Sequence, residues 1–198
     1  MSGDAETLNA YDRDAAGFAD DWEDQQSAPE DLYDLIHQYF HRGLTADIGC
    51  GSGRDTAWLV GHGYPAAGYD ASDGLLSEAR RRHPGIAFKK ASLPSLDGVK
   101  SDSLCNVLCE TVIMHLPPAD IAPAIARLLD ILEPEGILYL SWRVTREADQ
   151  RDTYGRLYAA FDTGLVLAAL GKAEVLLNEE VTSLSSGKVI HRIIARKA

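Results

Sequence analysis

Short apolar runs alternate along the chain with longer stretches whose apolar residues recur at helical spacing. The runs are Leu44 to Ile48, Tyr64 to Tyr69, Ile86 to Lys90, Leu104 to Cys109 and Ile137 to Leu140. Each is strand-length, and the stretches between them carry helix boundary signals. Arg54 to His62 reads as a helix ended by Gly63. Ser72 caps a second helix that runs to His83, and Pro84-Gly85 turns the chain into the next strand. Pro117-Pro118 opens a third helix that continues to Leu132. Strand, helix and strand in regular alternation predict a doubly wound α/β sheet.

Both ends depart from that rhythm. Near the start, Ser27-Ala28-Pro29-Glu30 reads as a capping box with proline in the first turn. Leu32, Leu35, Ile36, Tyr39 and Phe40 follow at helical spacing until Gly43, a stripe suited to core packing. Upstream, Tyr11, Phe18 and Trp22 punctuate an acidic arm. Beyond Trp142, the segment containing Arg143, Arg146, Arg151, Tyr154, Arg156 and Tyr158 is polar, with helices predicted near Asp152 to Phe161 and Leu165 to Leu170. The end reads as a hairpin: strand Glu174 to Val181, turn Ser183 to Gly187, strand Lys188 to Arg196. Residues 1–43, 44–142 and 143–198 thus form arm, core and terminal segment of one domain, with no internal repeat.

Composition narrows the class of partner. The chain has 198 residues, 45% hydrophobic and 25% charged, enough for a substantial core. No run approaches the roughly 20 apolar residues of a membrane span, and the opening Met1 to Glu6 has neither a basic region nor an apolar stretch. A cytoplasmic protein without membrane contact is expected. The formal net charge of −11 repels polyanions at long range, which disfavours nucleic acid and leaves a small molecule or a basic protein open as partner. Arg80, Arg81 and Arg82 are the tight basic cluster, and they fall in a last helical turn where cations offset the dipole. Cys50, Cys105 and Cys109 have no partners at zinc-ligand spacing and read as small apolar residues, so no metal is expected.

The chemistry concentrates after the first strand, where Asp47-Ile48-Gly49-Cys50-Gly51-Ser52-Gly53 joins strand to helix. Gly49 and Gly51 let a ligand approach the backbone, and the helix that follows points its N–H groups at the same place. A dinucleotide fingerprint is spaced G-x-G-x-x-G; this one is G-x-G-x-G with an acid two residues before it. Such an acid repels phosphate and suits an ammonium or sulfonium group. The run resembles motif I of the class I S-adenosylmethionine-dependent methyltransferases, D/E-x-G-x-G-x-G, at every position.

The resemblance extends from Leu44 to Trp142. Asp70-Ala71-Ser72, at the tip of the second strand, resembles motif II, whose carboxylate accepts both ribose hydroxyls. Leu104 to Pro117 resembles motif IV and the helix after it. Leu132-Glu133-Pro134-Glu135-Gly136 resembles the L-x-P-G-G turn, with Glu135 in place of the first glycine. Two features depart from the family: Phe88 to Pro94 lacks the usual motif III acid, and Leu104-Cys105 replaces an F-D pair.

The resemblance implies a Rossmann-like seven-stranded sheet, mostly parallel, with one antiparallel C-terminal strand and a helical N-terminal arm. It implies S-adenosyl-L-methionine as cofactor. Asp47, Gly49, Cys50 and Gly51 would hold its amino-acid end, Asp70 the ribose, and Ala71, Ser92 and Leu93 the adenine. Glu110 would face the methionine end or the acceptor. Tyr11 and Trp22 are candidate lid residues on the acceptor side, and Arg143 is placed to grip an acceptor anion. His115 is the candidate general base for a hydroxyl or amine acceptor. His37, His41, His62, His83 and His191 read as structural. The expected activity is methyl transfer to O or N of a small molecule. The alternatives are a silent cofactor-binding regulatory module, an aminopropyltransferase lacking its acid-rich motif, and an NAD-dependent reductase, which the glycine spacing disfavours.

Overall fold

The computed structural model describes residues 3–198; Met1 and Ser2, part of the opening run read above, lie outside them. Five parallel strands form most of one sheet: β1 (Thr45–Ile48), β2 (Ala66–Asp70), β3 (Ala87–Lys90), β4 (Leu104–Cys109) and β5 (Leu132–Arg143). Two more, β8 (Glu174–Thr182) and β9 (Val189–Arg196), complete the order β3-β2-β1-β4-β5-β9-β8. Only β9 runs against the rest, since it pairs antiparallel with both β5 and β8. The order reverses between β1 and β4, so the carboxyl ends of β1, β2 and β4 open onto the crevice where such sheets bind ligands.

Helices cover both faces: α3 (Glu30–Tyr39), α4 (Arg54–Gly61), α5 (Asp73–Arg82), α6 (Pro118–Asp130) and α7 (Thr163–Leu170). One core joins Ile48, Val107, Leu138 and Ile193 of the sheet to Ile121, Ile125 and Leu128 of α6. The other packs Leu32, Tyr33 and Ile36 of α3 against Leu108, Tyr139 and Ile194. The stripe read from Leu32 to Phe40 is therefore core. Over the carboxyl edge lies the arm: α1 (Ala5–Arg13), α2 (Ala15–Asp20) and a π-turn at Asp21–Gln25.

Three local expectations are corrected. No helix forms at Asp152 to Phe161; instead β6 (Gln150–Arg151) and β7 (Leu157–Tyr158) make a small hairpin. Asp152 Oδ1 accepts the backbone N–H groups of Tyr154 and Arg156, and Gly155 takes a φ of 90°, so an Asx-type turn wins over the helix. Helix α3 starts at Glu30 with Pro29 as N-cap and no side-chain cap bond, so the Ser27 capping box is not made. Glu133 to Gly136 is absorbed into β5, with Glu135 at a φ of 66°, a conformation for which glycine is the cheaper residue.

Candidate active site

A cavity of about 710 Å³ lies over the carboxyl ends of the strands and beneath the arm. Its floor is the glycine turn. Gly49 and Gly51 hold φ values of 77° and 54°, and a Cβ on Gly51 would sit 2.8 Å from the Trp22 ring. No larger residue leaves this approach open. Beside it, Asp70 is buried; one of its oxygens accepts the N–H of Gly51 at 2.9 Å and the other that of Ser72 at 2.8 Å. Burial raises the carboxyl's pKa while those two N–H groups pull it down. Each oxygen keeps a lone pair for an incoming diol.

At the tip of β4, Glu110 lines the cavity and accepts a hydrogen bond from Ser141. Burial lifts its pKa to about 6, against the pull of Ser141 and Tyr139. No cation pairs with it among the described residues, so it stands ready for one. Next to it Thr111 has a φ of 53°, rare for a β-branched residue, and its N–H is held by Ser141 Oγ at 3.0 Å. The Ser141 bond holds the strand tip in this conformation beside the cavity.

Of the residues singled out in the sequence, Tyr11, Trp22, Gly49, Cys50, Gly51, Asp70, Ala71, Ser92, Leu93, Glu110, His115 and Arg143 all line this cavity. Asp47 does not. Its carboxyl lies behind the turn, accepts the Thr56 hydroxyl at 2.6 Å, and is pushed up to about 8 by burial and then by Asp55. It braces β1 against α4, outside the cavity lining. His115, the candidate base, has no free ring nitrogen. Nδ1 faces the Leu157 carbonyl at 2.5 Å and so carries the proton; Nε2 therefore accepts from the Tyr11 hydroxyl at 2.9 Å. Burial lowers its pKa to about 4, which keeps the ring neutral.

Several lining residues escaped the sequence reading. Arg54 and Asp55, at the start of α4, pair with each other, and Arg54 also donates to the Trp22 carbonyl at 3.1 Å. Arg156 is anchored by Asp152 and packs over Tyr11, Phe18, Tyr154 and Tyr158 at 4.7 to 5.8 Å. The crowding of arginine and tyrosine after Trp142 was the available signal. Ser185, Ser186 and Lys188, on the turn between β8 and β9, also reach the cavity and gave none. The Arg80 to Arg82 cluster stays outside: Arg82 binds Glu78 and Asp20, and Arg80 caps the Phe88 carbonyl.

Residues 46–136 match the methyltransferase domain family, the segment that holds the glycine turn, Asp70 and Glu110. Over that segment the chain is similar to the class I S-adenosylmethionine-dependent methyltransferases. The cavity fits S-adenosylmethionine: a glycine cradle, a buried carboxylate with free lone pairs, and an acid without a cation among the described residues. Over 87 residues the chain is 42% identical to a trans-aconitate 2-methyltransferase of Methylobacterium nodulans, covering 42% of this chain and 33% of that protein. The chain spans a third to a half of the length of the curated relatives it matches. In fold it resembles a S-adenosylmethionine-dependent methyltransferase of Methanosarcina mazei, with a TM-score of 0.72 and 22% identity over 84% of this chain and 98% of that one. It also resembles the 1,6-didemethyltoxoflavin-N1-methyltransferase of Burkholderia thailandensis, solved with its acceptor and S-adenosylhomocysteine. There the TM-score is 0.70, with 21% identity over 93% of this chain and 87% of that one.

Proposed function

We propose that the protein transfers the methyl group of S-adenosylmethionine to a carboxylate oxygen of a small organic acid. One observation carries the reading: Arg143 lines the cavity at the end of β5, makes no ion pair among the described residues, and lies over the Tyr158 ring at 4.8 Å. In a chain of net charge −11, an arginine left without an acid is set aside for an anion from outside. A guanidinium holds a carboxylate through two parallel hydrogen bonds and leaves lone pairs on its oxygens for attack.

The cofactor supplies an activated methyl carbon. What the chain must add is alignment and exclusion of water. A carboxylate is already ionised at neutral pH, so its oxygen attacks without losing a proton. That agrees with a neutral His115 whose two nitrogens are both engaged; it serves as a brace for Tyr11. The C–S bonding pair returns to sulfur as the C–O bond forms, and the product is a methyl ester. The trans-aconitate 2-methyltransferases among the relatives, named for an acid acceptor, lend support.

Replacing Arg143 tests this directly. Each charge-assisted hydrogen bond contributes about 1.5 to 3 kcal/mol, so Arg143→Ala should lower kcat/KM for acid acceptors at least tenfold. Affinity for S-adenosylhomocysteine, measured by calorimetry, should stay unchanged. Unaltered methylation of acids by Arg143→Ala would remove Arg143 from the acceptor site.

A further inference from the structure

The hairpin that ends the chain meets the cavity beside Arg143, and its register decides how. Arg143 lies directly opposite Ile190 in the β5–β9 ladder, and the Val144 N–H continues the pairing to the Val189 carbonyl at 3.1 Å. Side chains alternate across a strand, so Ile190 and Lys188 share the face that Arg143 occupies, while Val189 points away. The cavity wall follows that alternation: Arg143, Ile190 and Lys188 line it and Val189 does not. A diagonal pair of this kind stands about 7–8 Å apart along the backbone. Two cations are thus set side by side on one wall.

The second cation is as free as the first. Lys188 makes no ion pair among the described residues, whereas Arg146, Arg192 and Arg196 nearby are each paired with an acid. The turn that carries it is built by its own hydroxyls. Ser183 Oγ accepts the Ser186 N–H at 3.3 Å and lies 3.1 Å from Ser185 Oγ, and the Ser183 N–H donates to the Lys188 carbonyl at 2.9 Å. Ser183 is buried, which fixes the turn, and Ser185 and Ser186 reach the cavity alongside Lys188. An ammonium with two hydroxyls is a recognition set for a carboxylate, placed on the hairpin and not on the arm.

We infer that the Ser183–Lys188 turn is a second anion subsite, so that the acceptor is a short-chain acid with two carboxylates, one on Arg143 and one on Lys188. This rests on the carboxylate reading above and deepens it. The carboxylate on Arg143, beside the strand tips and the glycine turn, takes the methyl; the one on Lys188 sets the acid's orientation. Ile190, between the two cations, contacts the carbon chain that joins the carboxylates. Mono-acids of equal length then lose one anchor and diacids keep both.

Calorimetry on the full chain saturated with S-adenosylhomocysteine separates the outcomes, with succinate and butyrate as probes. Succinate should bind at least tenfold more tightly than butyrate in the wild type. Lys188→Ala should bring succinate down to the butyrate level and leave butyrate unchanged, and Lys188→Arg should retain most of the preference. Equal binding of the two acids, or an unchanged preference in Lys188→Ala, would overturn the subsite. Methyl transfer from S-adenosylmethionine is assayed in parallel on the same acids. A Lys188-dependent preference for succinate without any ester would keep the subsite and sink the carboxylate-methylation reading; ester formation indifferent to Lys188 would do the reverse.

Discussion

At the residue scale, three carboxyls in and behind the cavity wall sit in different electrostatic settings. Asp70 is buried with two N–H donors, Glu110 is half-buried with a hydroxyl donor, and Asp47 is buried behind the turn with one hydroxyl and with Asp55 nearby. The last is strongly destabilised as an anion. Its pKa is raised to about 8 from an ordinary 3.8, so the folded state holds its proton where the unfolded chain has released it. Stability from this group is therefore full below about pH 4 and falls as pH rises toward 8. Asp47→Asn keeps the bond from Thr56 and removes the titration. It should raise the melting temperature at pH 8 by several degrees and leave it almost unchanged at pH 3, measured by calorimetric scans. Equal shifts at both pH values would show that Asp47 is ionised at little cost.

At the element scale, the arm is the part whose presence is plainest in the sequence and whose contacts are least so. The resemblance makes Tyr11 and Trp22 lid candidates, with hydrophobic anchoring of a helix as the alternative, and the structure lays both, with Phe18, along the cavity. What binds the arm down is dispersed over the chain: Asp12 accepts the Ser72 hydroxyl at 2.5 Å and the Gly74 N–H at 2.9 Å, Thr7 Oγ1 accepts the Leu157 N–H at 2.8 Å, and Asp4 pairs with Arg151. Contacts between residues so far apart leave no local pattern, and periodicity reads only local pattern. The same limit explains the β6–β7 hairpin, where one Asx turn overrides a helical-looking stretch, and Lys188, whose place beside Arg143 exists only once β5 and β9 pair. The core was legible because each strand and glycine turn is continuous in sequence. Trp22, seated on Gly51, gives a probe of the arm. Titration with S-adenosylmethionine should change the intrinsic fluorescence of the wild type, and Trp22→Phe should abolish most of that change. A full response in Trp22→Phe would place the cofactor away from the arm.

For the whole molecule, sheet order, cavity and charge act together. The order β3-β2-β1-β4-β5-β9-β8 brings the glycine turn, Asp70 and Glu110 from one half and Arg143 and Lys188 from the other to a single edge. The proposed cofactor and acceptor groups thus lie on neighbouring strands of one sheet, with the arm above both. A net charge of −11 disfavours polyanions at long range, and in the proposed function Arg143 and Lys188 select small acids locally. Among the described residues no helix is long and apolar enough to cross a membrane. The most direct measurement is mass spectrometry of the products formed from S-adenosylmethionine carrying a ¹³C-labelled methyl group, with a panel of mono- and dicarboxylic acids and primary amines. The account predicts labelled methyl esters of dicarboxylic acids, cleaved by mild base back to the free acids with release of labelled methanol. A base-stable labelled amine as the product, or no product while S-adenosylhomocysteine still binds in an Asp70-dependent manner, would contradict it.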